Sequence, residues 1–224
     1  MKQLIAIIFV GALFLGVSQK ASAQLSDEEY NYVTMDLRGI LNLTMTTNPQ
    51  VDFSFKTIQE YQQGITRFNS TQLEVDATLA WDLFVYANTD TWTQVEAYST
   101  NGNAALPAEI LELRSSVDNS AFTTENFTAF TSLKGLANSG VAAGVPAAAT
   151  QFLAGAVGTT GVNDSYAPGT ASANPATNRF RIDMRMVPDV PATFPNSTVA
   201  MVGPDYAQAG YYYLEVVYSL VEDL

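Results

Sequence analysis

Two pairs of carboxylates have the residue type and spacing that hydrolytic chemistry could use. Asp76 and Asp82 flank a predicted turn at Ala80, and Glu109 and Glu112 lie close together in the sequence. Two acids held about 5–9.5 Å apart can serve as general acid and as base or nucleophile in glycoside hydrolysis. Acidic residues are also the most frequent charged type here, 22 against 10 basic residues. We therefore favour the alternative interpretation, in which these carboxylates lie on solvated strand faces.

Two further patterns could bind or attack a substrate. Ser132 lies two residues before Lys134, as in a serine–lysine dyad, but no larger motif surrounds the pair. Gly155, Gly158 and Gly161 resemble the spacing of a phosphate-binding loop. Such a loop needs a strand before it and a helix after it, and neither is indicated by the flanking sequence. A flexible loop is the interpretation we favour.

Cysteine and histidine are both absent from the chain. Their absence excludes Ser-His-Asp and Cys-His catalysis, and also zinc and haem sites built from these residues. Calcium could still be bound by oxygen ligands, with Asn88 and Asp90 in one turn or Asp118 and Asn119 in another. Asn and Asp favour turns for backbone reasons of their own, which is the simpler interpretation. We predict no catalytic residue, no bound metal and no cofactor.

The aromatic residues are the better candidates for contact with a partner. Trp81 and Trp92 bracket a predicted hairpin; we expect Trp81 in the core, whereas Trp92 could be either buried or exposed. Tyr211 and Tyr213 alternate with Tyr212 along a predicted strand, so at least one of the three faces outward. An exposed aromatic side chain can stack on a sugar or contact another protein. Trp92, Tyr211 and Tyr213 are therefore the predicted contacts for a partner or a glycan.

The first 23 residues have the pattern of a secretory signal peptide. Lys2 precedes an apolar run from Leu4 to Val17, and Ala21-Ser22-Ala23 forms a small-residue cleavage site. We predict a secreted, extracellular or cell-surface protein, with the periplasm as another possible location. No second apolar run of about 20 residues follows, so we expect no transmembrane anchor.

The charge of the mature chain limits its partners. Loss of Lys2 and Lys20 with the signal peptide leaves 8 basic and 22 acidic residues, a net charge of −14. Such a surface repels nucleic-acid phosphates and anionic lipid headgroups, so we expect neither as a partner.

Period-two patterns dominate the rest of the chain and predict strands. Clear alternation runs over residues 72–79 and 179–186, with a shorter example at 51–55. Residues 81–86 place apolar side chains on both faces, as in a central strand. Val95 and Ala97 continue the strand pattern after a turn. The strongest strand signal covers residues 211–221. Short helices are predicted at 27–32 and at 58–63, the latter ending at Gly64, and residues 107–113 are interpreted as a strand.

Residues 134–178 are mostly Gly, Ala, Ser, Thr, Pro and Asn. This composition predicts long loops with a short helix after Pro146, and such loops could contact a partner. The complete pattern predicts a mainly β chain: one antiparallel, immunoglobulin-like β-sandwich of Greek-key type over residues 24–224, with long Gly/Ala-rich loops.

Two segments resemble known bacterial surface proteins. Trp81-Asp82-Leu83 is a W-x-L triplet, and Trp92 follows it. Residues 210–224 are similar to the terminal strand of WxL-type surface domains. Tyr218–Val221 stands where those domains have their second tryptophan motif. A terminal strand opened by glycine is also similar to subunits of the spore-coat-U and chaperone–usher pilin kind, although the cysteines of those subunits are absent here. The resemblances imply an exported sandwich that attaches to a cell surface non-covalently, or that lends a strand to a neighbouring copy.

These observations predict a bacterial structural or adhesive subunit, without catalytic activity, that associates with itself or with a cell-surface polymer. The alternative is an extracellular carbohydrate-binding module that uses Trp92 and nearby tyrosines. A hydrolase that uses Asp76 and Asp82 is the third hypothesis.

Overall fold

The structure is a computed structural model that describes residues 34–115, 126–139, 141–142, 145–146, 151–155, 166–188 and 207–222. The chain divides into two units, Met1–Leu37 and Arg38–Leu224, and the sheets formed by the described residues belong to the second. The predicted signal peptide, the predicted helix at 27–32 and the turn at Asp118–Asn119 lie outside the described residues.

The chain is mainly β, and every ladder between its strands is antiparallel, as predicted. The larger sheet has five strands in the order β1-β2-β10-β5-β6, and the smaller has three in the order β12-β3-β9. Two ribbons pair β4 with β11 and β7 with β8. The strands are β1 (Leu41–Met45), β2 (Ile65–Ala77), β3 (Trp81–Ala87), β4 (Thr93–Ala97), β5 (Leu111–Ser115), β6 (Thr131–Ser132), β7 (Val141–Ala142), β8 (Val145–Pro146), β9 (Phe152–Ala154), β10 (Arg179–Met186), β11 (Gly210–Tyr213) and β12 (Val216–Glu222).

Helical structure is brief among the described residues. Helix α1 (Ile58–Gln63) starts at a capping box, in which Thr57 accepts from the backbone N–H of Glu60 and the Glu60 carboxylate accepts from that of Thr57. It ends at Gly64 with φ of 72°, so the predicted helix and its end are confirmed. Helix α2 spans Pro175–Asn178. The predicted strand at 107–113 is half right, because a 3₁₀ turn (Ala108–Ile110) precedes β5. No helix in the described part of the chain has the length and apolar character needed to cross a membrane.

One apolar core joins the two larger sheets. Alternate residues of β2 and of β10 are buried, which confirms both period-two predictions, and they meet the alternate side chains of β3 that begin with Trp81. The Trp81 ring is completely buried, 4.8 Å from the ring centre of Tyr166, as expected for a core tryptophan. Its indole Nε1–H donates to the carbonyl of Ala167 at 3.2 Å. Buried aromatic pairs of this kind contribute a large apolar area and a defined geometry.

The other face of β3 is buried as well. Phe84, Tyr86 and Phe152 form a second cluster there, with Val217 and Val221 of β12 packed against it. Every residue of β3 is therefore buried, which confirms the prediction of a central strand.

Three predicted features differ from the structure. Val51, Phe53 and Phe55 are half-buried and the residues between them are exposed, but their segment pairs with none of the described strands, because alternation records burial and not backbone pairing. The predicted strand at 211–221 is two strands, β11 and β12, which pair with different partners, β4 and β3. Val95 and Ala97 are exposed, so the apolar positions of β4 do not face the core.

The segment 134–178 contributes more to the core than its composition predicts. It supplies β7, β8 and β9, and the side chains of Phe152, Leu153 and Tyr166 are fully buried. A few large apolar residues are enough to anchor a segment of small and polar residues when each of them packs closely in the core. Pro146 lies in β8; residues 147–150, where the helix was expected, are outside the described residues.

A large bulge, with three residues against one, interrupts the pairing of β2 with β10. Ile182 pairs with Thr71 and Met184 pairs with Arg67, so residues 68–70 face the single residue Asp183. Asn69 takes a φ of 50° there, and its N–H donates to Asp183 Oδ1 at 2.8 Å. Asp183 is consequently buried, although the alternation of β10 places it on the face expected to be solvated.

Candidate interaction surface

The ribbon of β4 and β11 carries two of the three predicted contact residues. Tyr213 pairs with Thr93 and Tyr212 with Gln94, and then the register shifts so that Tyr211 pairs with Glu96. Val95 is the extra residue at this shift, which makes the ribbon a bulged one. Because side chains alternate along a strand, Tyr211 and Tyr213 lie on one side of β11 with their Cα atoms about 7 Å apart.

Four large side chains of this ribbon and its continuation are between 50% and 65% exposed. We call them the tyrosine surface: Val95, Tyr98, Tyr211 and Tyr213. Single exposed apolar residues are common, whereas several on one small element are typical of an interaction site.

Tyr212, between the two exposed tyrosines, is held on the opposite side. Its hydroxyl donates to the carbonyl of Gln208 at 2.7 Å and accepts from Gln94 Nε2 at 3.0 Å. Gln94 Nε2 also donates to Gln208 Oε1, and the Gln208 amide donates to the carbonyl of Ser99. Burial raises the pKa of Tyr212 above the usual tyrosine value. This hydrogen-bond network restrains the backbone of the ribbon from which Tyr211 and Tyr213 project.

Trp92 has a different environment from the two tyrosines. It is half-buried and packs against the main core, and its backbone N–H donates to the carbonyl of Leu106 at 2.7 Å. The indole Nε1 is buried and has no hydrogen-bond acceptor among the described residues. The structure therefore presents Tyr211 and Tyr213 to solvent, and gives Trp92 a mainly structural environment.

The carboxylate pairs are not brought together as a hydrolase would require. Asp76 lies on the face of β2 opposite its buried residues and accepts from the backbone N–H of Ala171 at 2.9 Å. Asp82 is fully buried in the other sheet, on the face of β3 that carries Phe84. Each aspartate thus lies on the face of its strand turned away from the shared core.

The remaining candidates are engaged in local structure. Glu112 accepts from Arg185 Nε at 2.6 Å, while Glu109 lies in the 3₁₀ turn. Asn88 donates to Glu215 Oε2 at 2.8 Å, and Asp90 Oδ1 accepts from the N–H of Ala137. Within the described residues, no three acidic side chains cluster as a metal site would require. The described hydrogen bonds do not join Ser132 to Lys134, and the glycine-rich loop beyond Gly155 lies outside the described residues.

Sequence reasoning missed one exposed apolar segment. Met35, Leu37 and Ile40 are all largely exposed, immediately before β1. For Met35 and Leu37 the signal was present as apolar residues at the odd positions from 33 to 45, an alternation that Gly39 and Ile40 interrupt. The polar residues between them made the segment less conspicuous than the longer strands.

No protein-family model matches this sequence, and comparison with curated proteins gives no significant match.

Proposed function

We propose that this chain is an exported structural or adhesive subunit, without catalytic activity, that associates non-covalently with copies of itself or with a cell-surface polymer. The observation that carries the proposal is the tyrosine surface, which is exposed on one side of a ribbon whose other side is fixed by hydrogen bonds. A fixed aromatic surface loses little conformational entropy on binding, because each tyrosine has only two side-chain torsions.

The charge of the chain supports a neutral contact surface. The mature chain carries a net charge of −14, so two copies repel each other wherever acidic faces approach. The four residues of the tyrosine surface are one valine and three tyrosines, and none of them is an acidic residue. Association through this surface would bury apolar area, and Glu96, which pairs with Tyr211, is the carboxylate beside it.

Three expectations from the sequence belong to the same proposal. They are export through the N-terminal 23 residues, an immunoglobulin-like Greek-key arrangement of the sheets, and kinship with WxL-type or spore-coat-U-like surface domains. The antiparallel sheets around one core support the second, whereas the other two stay predictions.

The experiment compares Tyr211→Ser/Tyr213→Ser with Phe68→Ser. Phe68 is more exposed than either tyrosine and lies on β2 in the five-stranded sheet, so it controls for the loss of an exposed ring. Sedimentation velocity over a range of concentrations should show association of the wild-type chain and of the Phe68→Ser variant, and loss of association in the double variant. Equal association of all three proteins would contradict the role of the tyrosine surface.

Carbohydrate binding is the second candidate, and the spacing of Tyr211 and Tyr213 favours it. Two rings on one side of a strand could stack on successive sugar faces of a glycan chain. The same double variant should then lose signal on a glycan array at an unchanged melting temperature. Trp92→Ala is a poor probe of this idea, because loss of a ring packed on the core should lower the melting temperature. Absence of any glycan bound by the wild-type chain would refute the binding-module hypothesis.

A further inference from the structure

Residues 34–40 are an exposed stretch of chain outside every described helix and sheet. All seven residues are exposed, and the side chains of Met35 and Leu37 are 75% and 84% exposed. A protease binds its substrate as a strand whose backbone N–H and C=O groups pair with the enzyme. Exposed chain that lies outside any sheet meets this requirement without unfolding of the domain.

Arg38 is the one basic residue in this stretch, and it lies at the edge of a structural unit. The first unit ends at Leu37 and the second begins at Arg38, so the peptide bond between Arg38 and Gly39 is one residue from the boundary. Boundaries between units fall in exposed linkers, which are preferred sites of proteolytic cutting. Gly39 also places no side chain against an enzyme that approaches the bond.

Most other basic residues of the predicted mature chain are held within strands. Residues 24–224 contain eight basic residues, and all eight are among the described residues. Five of them lie within strands: Arg67 in β2, Arg114 in β5, and Arg179, Arg181 and Arg185 in β10. Their backbones belong to the five-stranded sheet, so a protease would have to open a ladder of that sheet to reach them.

Lys56 and Lys134 lie outside strands but are held by backbone hydrogen bonds. The N–H groups of Lys56 and Thr57 both donate to the Glu60 carboxylate, at 2.6 and 2.8 Å, so the bond between Lys56 and Thr57 is part of the capping box. The carbonyl of Lys134 accepts from the N–H of Ala87 at 2.9 Å. Among the eight basic residues, the one in the 34–40 stretch alone follows residues that are all exposed and outside any helix or sheet.

We propose that an endoprotease with specificity for arginine cleaves the bond between Arg38 and Gly39 and so removes the segment before β1. In this hydrolysis the C–N bond between the Arg38 carbonyl carbon and the Gly39 nitrogen breaks. Water supplies the hydroxyl group of the new Arg38 carboxyl and a proton to the new Gly39 amine. An acidic specificity pocket, as in trypsin, recognises the guanidinium group.

The fold is anchored immediately after the cleavage site. The N–H of Ile40 donates to Thr78 Oγ1 at 2.8 Å, and the N–H of Thr78 donates to the carbonyl of Ile40 at 2.9 Å. From Leu41 onward the backbone pairs with β2 as strand β1. Cleavage after Arg38 therefore leaves every described strand intact and, among the described residues, removes only exposed ones.

The two hydrogen bonds of Ile40 also limit access to the bond that is cut. A protease contacts residues on both sides of this bond, so the chain at Ile40 must separate from Thr78 before cleavage. The rate of cleavage then depends on this local opening and not on unfolding of the core. The inference concerns processing of the chain and does not depend on the self-association proposed above.

Limited digestion with trypsin, which cuts after arginine and lysine, tests access to the site. The chain expressed from the full-length gene should give a stable product whose N-terminal residue is Gly39 and whose melting temperature equals that of the uncut chain. Arg38→Gln should lose this product. Arg67→Gln is the matched control, because it changes an exposed arginine within β2, and it should digest as the wild type does. A first cut after another of the eight basic residues, or the same product from Arg38→Gln, would overturn the proposal.

Thr78 allows a test of the local opening. Thr78→Val removes the side-chain acceptor of the Ile40 N–H, so trypsin should cut after Arg38 about fivefold faster, the factor that corresponds to one neutral hydrogen bond. Thr78→Ser keeps the hydroxyl group and should be cut at the wild-type rate. Equal rates for all three chains would overturn the claim that opening at Ile40 admits the protease.

The N-terminus of the protein isolated from the cells that produce it tests processing itself. N-terminal sequencing and the mass of the intact protein should identify Gly39 as its first residue. A protein that starts at Gln24 and still contains Arg38 would overturn the proposal, even where trypsin cuts the same bond in the purified chain.

Discussion

Asp183 provides a sharp test of how the large sheet is held together. Its Oδ1 accepts from the N–H of Asn69 in the bulge of β2, and its Oδ2 accepts from Arg114 Nε at 3.1 Å and Nη2 at 2.5 Å. The side chain of Asp183 is 5% exposed, whereas that of Arg114 is 36% exposed. Arg114 also lies over the ring of Phe130, with its guanidinium carbon 4.8 Å from the ring centre.

The cost of Asp183→Ala follows from these two contacts. The Asn69 N–H would lose its acceptor in a partly buried position, which costs about 1–3 kcal/mol. Arg114 is exposed enough to regain water, so the lost ion pair adds only about 1 kcal/mol. We expect a total of about 2–4 kcal/mol. Asp183→Asn keeps an oxygen for the Asn69 N–H and should cost about 1 kcal/mol through the charge alone.

Glu74→Ala is the matched control, because Glu74 pairs with Arg179 on the same two strands with both side chains about one-third exposed. That substitution should cost about 0–1 kcal/mol. Urea unfolding followed by the fluorescence of Trp81 and Trp92, which both pack in or against the core, measures all three variants. A cost of Asp183→Ala equal to that of Glu74→Ala would refute the claim that Asp183 fastens the bulge.

Two further predictions concern the core and one close backbone approach. Burial raises the pKa of Tyr218, so the folded state favours its neutral form; the resulting stability is complete below the ordinary tyrosine pKa of about 10 and declines as the pH rises above it. Tyr218→Phe should reduce this decline of the melting temperature at alkaline pH, and it should remove the tyrosine absorbance step that occurs at the highest pH. If both the melting temperatures and the absorbance titration matched those of the wild type, the raised pKa of Tyr218 would be contradicted. A Cβ at Gly135 would lie 2.3 Å from the Cα of Asp90, which cannot move aside, so Gly135→Ala should destabilise by about 1–3 kcal/mol. At Gly39 the atom nearest to an added Cβ is Cδ1 of the flexible Leu79 side chain, so Gly39→Ala should lower the free energy of unfolding clearly less than Gly135→Ala does. Equal losses in the same unfolding assay would contradict this difference between a side-chain and a backbone neighbour.

The strands that local alternation defines were predictable from the sequence. The buried positions Leu73, Val75 and Ala77 repeat with period two, and the run after Ala80, apolar except for Asp82, is the central strand of its sheet. The helix at 58–63 was predictable because its ending glycine and its position after Thr57 are local signals.

Features that depend on long-range pairing were not predictable in this way. The bulge that buries Asp183 arises because β2 has more residues than β10 between two fixed pairs, and no local pattern encodes that difference. The division of residues 211–221 follows from partners in two different sheets. Phe152 and Tyr166 are isolated in a segment of small residues, so their burial depends on the surfaces that they meet.

The candidate surface was predictable in part. Tyr alternation along residues 211–213 placed two tyrosines on one side, and the structure exposes both. Trp92 could not be assigned from sequence, because tryptophan suits a core and a binding surface equally well.

The central claim is that the chain associates with copies of itself, and its mass in solution tests that claim most directly. The chain expressed from the full-length gene should be measured by light scattering over a wide range of concentrations, with electron microscopy of the same samples. The account predicts a mass that increases with concentration and the appearance of filaments. A constant mass of one chain at every concentration, without filaments, would contradict it.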